Sequence, residues 1–489
     1  MLGRARWMLV WPFIDYHCSE LLAAGELSSA SMKSGMDDKL AQKSYRFQFG
    51  ILNMKHRTLA LLIATLVSSQ GVFAADLLSV YRDAIAQDPV YAAARATFEA
   101  VRENVPQAKA GTLPSATVSS TTNTILNDTR TAFGGSSRNY PTLGVTLSGS
   151  YPLYRPANWV ALDVAGLQVR QAEAVFADVR QNVASRVSQA YFDVLLSQDN
   201  VELSGAQKKA FAEQLAAAKR NFEVGTATIV DTYEAQARYD LAISKEIADQ
   251  NDLEVKKSAL QQIIGKTAPV LAGLKETATL TPPSPANVEQ WVARAEEASP
   301  TIAQLRAALE IAKKDIDRNK AGEKPTIDVV ASHGYNNAPS SGSTFVTNNT
   351  ALGLSLNFPL YTGGATQSRI RQAVQIRERA TQDLENAKRV VAQNVRASFL
   401  TVTSGAAQVK ALEASLVSSK ASLDSTLLGK EVGVRTNVDV LNAQQQLFQT
   451  RRDLQQARYN TVLAQLRLKA ASGQLGEDDL AAVNRLLSN

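Results

Sequence analysis

Residues able to carry covalent chemistry are scarce in this chain. After residue 74 the 489-residue sequence has no cysteine, no methionine and a single histidine, His333; Cys18 and all five methionines lie within the first 54 residues. Disulfides, thiol nucleophiles and Cys/His zinc sites are therefore excluded from residues 75–489. A Ser/His/Asp set cannot be built without His333, which falls on a strand-like stretch beside a polar loop and reads as an incidental polar residue. No phosphate loop of the Gly-x-x-x-x-Gly-Lys-Ser/Thr kind is present, so any energy must come from elsewhere. No enzymatic activity and no cofactor or metal are expected. What remains is charge placed around two glycines. Gly225 and Gly433 suit the left-handed conformation that ends a helix. Arg435 and Asp439 are four apart and can pair along one helix, an exposed contact worth up to about 1 kcal/mol. Asp439 and Asn442 are three apart and share a face.

These turns belong to a repeat. Phe222 to Asp231 (FEVGTATIVD) recurs as Lys430 to Asp439 (KEVGVRTNVD), 208 residues on, with six of ten positions identical. Leu147 to Tyr154 (LSGSYPLY) recurs as Leu354 to Tyr361 (LSLNFPLY), 207 on. Asp88-Pro89 through Pro114 recurs as Ser299-Pro300 through Pro325, 211 on. The offset barely drifts, so the chain holds two copies of one unit, 75–265 and 288–474, around a Pro-bearing linker, 266–287, with a tail at 475–489.

Each copy predicts the same elements. A helix comes first, Pro89 to Ala110 and Pro300 to Ala321, with proline in the first turn and Gly111 or Gly322 at the end. Pro106 should distort the first of these. Next, Leu143, Val145, Leu147 and Tyr151, and in the second copy Leu352, Leu354, Leu356 and Phe358, alternate with small polar residues. That is the period of a strand with one apolar face. Partner strands are expected at 115–125 and 326–335, with Ser/Thr/Asn/Gly loops at 127–140 and 336–350. Very long helices follow. Ala157 to Phe222 and Ala365 to Val432 contain no proline; Thr226 to Ile264 and Val434 to Ser472 contain neither proline nor glycine. Val183, Val187, Tyr191, Val194 and Val201 step like a heptad seam, and Val391, Val395, Phe399, Val402 and Val409 repeat it. The fold class is mainly α with a small β part, and the helices form a coiled coil rather than a globule.

Met54-Lys55-His56-Arg57, the apolar run from Leu59 to Val67, and the close at Ala74 form a secretory signal, 54–74. Such a signal works only at an N-terminus, so residues 1–53 read as an over-extended gene start, the other reading being a leader of unknown role. Residues 75–489 carry 44 Lys+Arg and 41 Asp+Glu, once the 8 and 5 in residues 1–74 are taken from 52 and 46. That near-neutral balance gives no support to a nucleic-acid partner. No run of 18 apolar residues follows Ala74, so no helix spans a membrane. Four strands cannot close a barrel, the smallest membrane barrels using about eight, and open sheet edges are forbidden in lipid. The strands must be pooled between copies of the chain.

The order helix, hairpin, long helix, Val-Gly turn, helix, twice over, resembles the TolC family. Val432 to Ala443 (VGVRTNVDVLNA) and Gln474 to Asn484 (QLGEDDLAAVN) are similar to that family's second tip and tail. The resemblance covers essentially all of residues 76–489. It implies a homotrimer with a twelve-stranded transmembrane β-barrel, a periplasmic tunnel of helices and an equatorial belt near the linker. It implies an outer-membrane exit duct for drug efflux or type I protein secretion, gated by helix movement at the tip. A dedicated secretion component for one protein toxin is the alternative, and a periplasmic coiled-coil adaptor the alternative from another class. Expected partners are a periplasmic adaptor protein docking at the tip turns (Gly225, Thr226, Gly433, Val434), an inner-membrane ABC or RND-type pump, and outer-membrane lipid. Asp231 and Arg435 match positions of a closing contact; the local Arg435–Asp439 pair competes with it. The family's best-known member has a tyrosine in place of Lys430. Asp439 and Asn442 match an acidic constriction ring of which only the first acid is kept.

Overall fold

The computed structural model describes residues 74–275, 278, 281–340 and 343–488. The expected extension (1–53) and the signal segment up to residue 73 lie outside them. From Ala75 onward the chain is stitched into the fold, with Ala75 N donating to Val270 O (2.7 Å) and Ala272 N to Ala75 O (3.1 Å).

Helix α1 (Leu77–Gln87) starts where Asp76 accepts from Ser79 N (2.7 Å), an N-cap that satisfies an otherwise orphaned donor. The helix expected at 89–110 is two helices, α2 (Pro89–Arg102) and α3 (Asn104–Ala110), broken at Glu103. Pro106 has no N–H to offer the Arg102 carbonyl four residues back, and that missing bond sets the break. Strands β1 (Ser115–Thr131) and β2 (Gly134–Tyr154) form an antiparallel hairpin. Helix α4 (Pro156–Glu223) runs 68 residues, about 100 Å at 1.5 Å per residue, and α5 (Ile229–Ile264) returns along it. The second copy gives α6 (Val288–Ala298), α7 (Pro300–Ala321), β3 (Thr326–Ser340), β4 (Ser343–Asn357), α8 (Ala365–Glu431), α9 (Asn437–Ala471) and a terminal α10 (Glu477–Asn484).

The four strands make one antiparallel sheet in the order β1-β2-β3-β4, which leaves β1 and β4 as open edges. The segments expected as loops, 127–140 and 336–350, are mostly strand: the ladders run to Thr131↔Gly134 and Ser340↔Ser343. Ser, Thr and Asn on both faces looked like loop composition, but the backbone ladder forms whichever side chains flank it. Paired residues share a face. Leu147 is level with His333 and Thr350, and Tyr151 with Val329 and Leu354. His333 thus lies within a strand on the apolar face, its Nδ1 2.8 Å from Thr350 Oγ1. On that face Leu352, Leu354 and Leu356 are 78%, 71% and 67% exposed in the single chain.

The helical seams are buried as heptad logic requires. Val183, Val187, Tyr191 and Val194 pack with α1, the linker and α10, while Val391, Val395 and Val402 pack with Trp291, Val292, Ala295 and Ile302 of α6 and α7. Tyr191 pins the first cluster by donating from Oη to Ala272 O (2.8 Å). Between the seams, Tyr459 Oη of α9 donates to Asp199 Oδ2 of α4 (2.7 Å), and burial pushes the Asp199 carboxyl up. Because its folded pKa lies above the unfolded value near 3.8, the native state holds the extra proton, and stability falls as pH rises from there through the folded value. Tyr459→Phe should cost about 1–3 kcal/mol by leaving a buried acceptor unpaired. Asp199→Asn should cost less and should flatten the pH dependence. Thermal melts across pH 4 to 8 check both.

Candidate functional site

The two turns where the long helices reverse are built alike. After α4, Gly225 takes φ 73°, its N–H donating to Phe222 O (3.0 Å) while Thr226 N donates to Asn221 O (2.8 Å). After α8, Gly433 takes φ 78°, with Gly433 N to Lys430 O (3.1 Å) and Val434 N to Gly429 O (2.9 Å). These bonds close the orphan carbonyls of a helix end, which only a left-handed residue permits. Each following helix opens with a capping box. Thr228 Oγ1 and N donate to Asp231 Oδ2 (2.7 and 3.0 Å), and Thr436 Oγ1 and N donate to Asp439 Oδ2 (both 2.9 Å).

The structure therefore places Asp231 and Asp439 as cap carboxylates of their own helices. Among the described residues Arg435 pairs with neither within a single chain; its stem lies over Gly429, where a Cβ would come 2.7 Å from Arg435 Cγ. The Thr-x-x-Asp signal that would have given this assignment stands in the sequence at both turns. Hydrogen bonds from the Thr436 N–H and hydroxyl, and then the Arg435 charge, hold the Asp439 carboxyl below its usual range. A depressed carboxylate contributes above its unfolded value, near 3.8, and loses that contribution as pH falls through the folded one. Thr436→Ala should raise local opening of the first turn of α9 about fivefold, the equivalent of a lost cap. Amide hydrogen exchange at residues 437–440 measures it.

Lys430 bridges the two hairpins. Its Nζ donates to Asn437 Oδ1 (2.8 Å) and to Gln214 Oε1 on α4 (3.3 Å). Burial pushes the ammonium down, and the Asp231 charge partly offsets this. Nearby, Leu441 of α9 is fully buried among Phe211, Leu215, Ala218, Ala235 and Ala242 of the α4–α5 hairpin. Arg238 of α5 reaches the same stretch of α9, with Nη2 donating to Asn442 Oδ1 (3.1 Å) and Nη1 to Gln445 Oε1. Asn442 is thus held by a guanidinium of its own chain. Sequence reasoning missed Arg238, which lies 204 residues from Asn442. Among the described residues no group of three or more His, Cys, Asp or Glu could hold a metal, and no helix is long and apolar enough to cross a membrane, which says nothing of the strands.

An open sheet with one apolar face, joined to long paired helices whose turns are capped, is the build of an outer-membrane export duct. Comparison with known proteins reaches the same class. The family model described as outer membrane efflux protein matches residues 80–266 and 291–474, and the chain belongs to that family. It is 31% identical over 420 residues to the outer membrane protein TolC of Vibrio cholerae, covering 85% of this chain and 94% of that one. It is 31% identical over 425 residues to the alkaline protease secretion protein AprF of Pseudomonas aeruginosa, covering 86% and 88%. Among solved structures, CusC aligns with a TM-score of 0.71 at 16% identity over 82% of this chain and 93% of that one. The open state of the Neisseria gonorrhoeae MtrE channel aligns at 0.67 and 20% identity over 82% and 90%. The protein is an outer-membrane efflux channel protein of a Gram-negative bacterium.

Proposed function

We propose that three copies of this chain pool their strands into one twelve-stranded barrel and their helices into a tunnel, forming a passive exit duct gated at the periplasmic tip. The observation that carries the proposal is the four-stranded sheet itself. Its β1 and β4 edges are unpaired and its apolar face is exposed. Neither is tolerable in lipid until further copies complete the ladder. A periplasmic adaptor of helical-hairpin type fits the grooves beside the tip turns, and an inner-membrane ABC or RND-type pump supplies the energy. The alternative of an adaptor or scaffold leaves the amphipathic sheet without a role. Names such as protease secretion protein AprF and outer membrane efflux protein BepC among the relatives support cargo of both kinds, proteins and small molecules, through one shared duct.

At the entrance Asp439 supplies one carboxylate per chain, and the position of a second acid is Asn442. Three carboxylates form a weaker cation trap than six. Block by hexammine or divalent cations is expected to be weak, and single-channel currents check it; nanomolar block would contradict the single ring. The proposal as a whole is tested by sedimentation in detergent and by conductance in planar bilayers. A trimer with discrete conductance steps is expected. A water-soluble monomer that leaves the bilayer silent overturns the reading.

A further inference from the structure

We infer that Arg238 is the closed-state latch of the entrance, and that Asn442 belongs to this latch rather than to the ring of pore-lining groups. The inference rests on the gated-duct reading above and goes beyond it by naming one contact near the tip that joins the two helical hairpins.

Three contacts join the α4–α5 hairpin to the α8–α9 hairpin near the tip. Lys430 touches Gln214. Leu441 is seated among α4 and α5 side chains. Arg238 holds Asn442 and Gln445, which are three apart and so project from one face of α9. The Arg238 guanidinium is fixed from behind by Glu234, whose Oε1 accepts from Nε (3.2 Å). The planar fork of an arginine is suited to two acceptors at once, and a lysine would not replace it. Both acceptors are amides, so the contact is charge-assisted on one side only: strong enough to favour one arrangement and weak enough to part. Within one chain, Thr232 Oγ1 of α5 and Asn437 Nδ2 and Gln444 Oε1 of α9 are buried near the tip without hydrogen-bond partners. Unsatisfied groups of this kind raise the free energy of the closed arrangement. With few polar contacts across the seam, removal of the fork is expected to shift it.

In the second copy the residue opposite the latch is an amide. An aspartate at that position faces a guanidinium already in place. Asn442→Asp therefore strengthens closure if the residue is part of the latch, and it adds negative charge to the conduction path if the residue is part of a ring. The two readings separate on one substitution.

The test uses the full mature trimer in planar bilayers, comparing wild type with Arg238→Met, Asn442→Asp and the exchange Arg238→Asp with Asn442→Arg. Arg238→Met keeps the aliphatic stem and removes the fork. It should shift the closed–open equilibrium at least about tenfold towards open, since both hydrogen bonds of the fork to α9 are lost. Asn442→Asp should lower the resting conductance and leave the cation-to-anion permeability ratio unchanged. The exchange should return the conductance towards wild type, and migration of each variant as a heat-stable trimer excludes misfolding as the cause. If wild type conducts and Arg238→Met leaves its conductance unchanged, the latch is overturned while the duct stands. If Asn442→Asp raises cation selectivity and does not favour closure, Asn442 is a ring residue and the inference fails. A bilayer that stays silent with every variant overturns the duct and the latch together.

Discussion

Gly473→Ala is expected to lower accumulation of the protein in the outer membrane sharply, although the residue touches neither the sheet nor the tip. Gly473 ends α9 at φ 74°, and a Cβ there would lie 2.5 Å from Ala298 O, 2.6 Å from Ala298 C and 2.8 Å from Ser299 N. All three obstacles are backbone atoms at the junction between α6 and α7, so no side chain can turn aside. Gly473 O also accepts from Gln181 Nε2 on α4 (2.7 Å), which ties a third segment to the same point. The left-handed conformation costs a non-glycine residue about 1–2 kcal/mol, and forced overpacking adds about 1–3 kcal/mol. Together these consume much of a total stability of about 5–15 kcal/mol. Gly225→Ala is the internal control. It has a similar φ of 73° with nothing within 4 Å of the added carbon, so it should lose only the conformational part. Levels of heat-stable oligomer in membrane fractions, compared between the two variants, measure the difference.

Breaking the Arg155–Asp328 pair should have the next largest effect. Arg155 sits at the handover from β2 to α4. Its Nε and Nη2 donate to Asp328 Oδ1 and Oδ2 of β3, both at 2.7 Å. Asp328 is 7% exposed. Arg155→Met leaves that carboxylate buried and unpaired, at a cost of about 3 kcal/mol, the lower end for such a loss because the arginine itself is partly exposed. Joint replacement by Arg155→Met and Asp328→Leu should be milder than Arg155→Met alone, since no stranded charge remains. A double-mutant cycle on thermal dissociation of the oligomer gives the coupling directly. Equal losses for the single and the double variant would mean that the pair does not hold the junction.

Much of this molecule was legible from residue order. The near-constant offset between copies predicted both hairpins and both helix pairs, because each copy buries its seam by the same heptad steps. The strand period located the apolar face from Leu143 to Tyr151 and from Leu352 to Phe358. It failed at the strand tops. Above the apolar band Ser, Thr, Asn and Gly dominate and the apolar pair Phe345 and Val346 is adjacent rather than alternating, so the period vanishes while the ladder continues. The distortion expected from Pro106 is present as a full break at Glu103, where the lost hydrogen bond ends the helix rather than bending it.

The charged tip was half legible. Gly225 and Gly433 announce their turns locally, and Thr228-x-x-Asp231 and Thr436-x-x-Asp439 are capping signals any sequence reader can find. A cap bonds three residues away, within reach of local rules. The sequence by itself therefore determined the repeat, the amphipathic strands and the coiled-coil seams. Only the tertiary structure decided the destination of each charge. Arg238 meets Asn442, Arg155 meets Asp328, and Gly473 meets the backbone of Ala298, across separations of 204, 173 and 175 residues. The reason is physical. Periodicity fixes which face a residue occupies, whereas a side-chain partner is fixed by how two faces are set against each other, and that is a property of the packed chain.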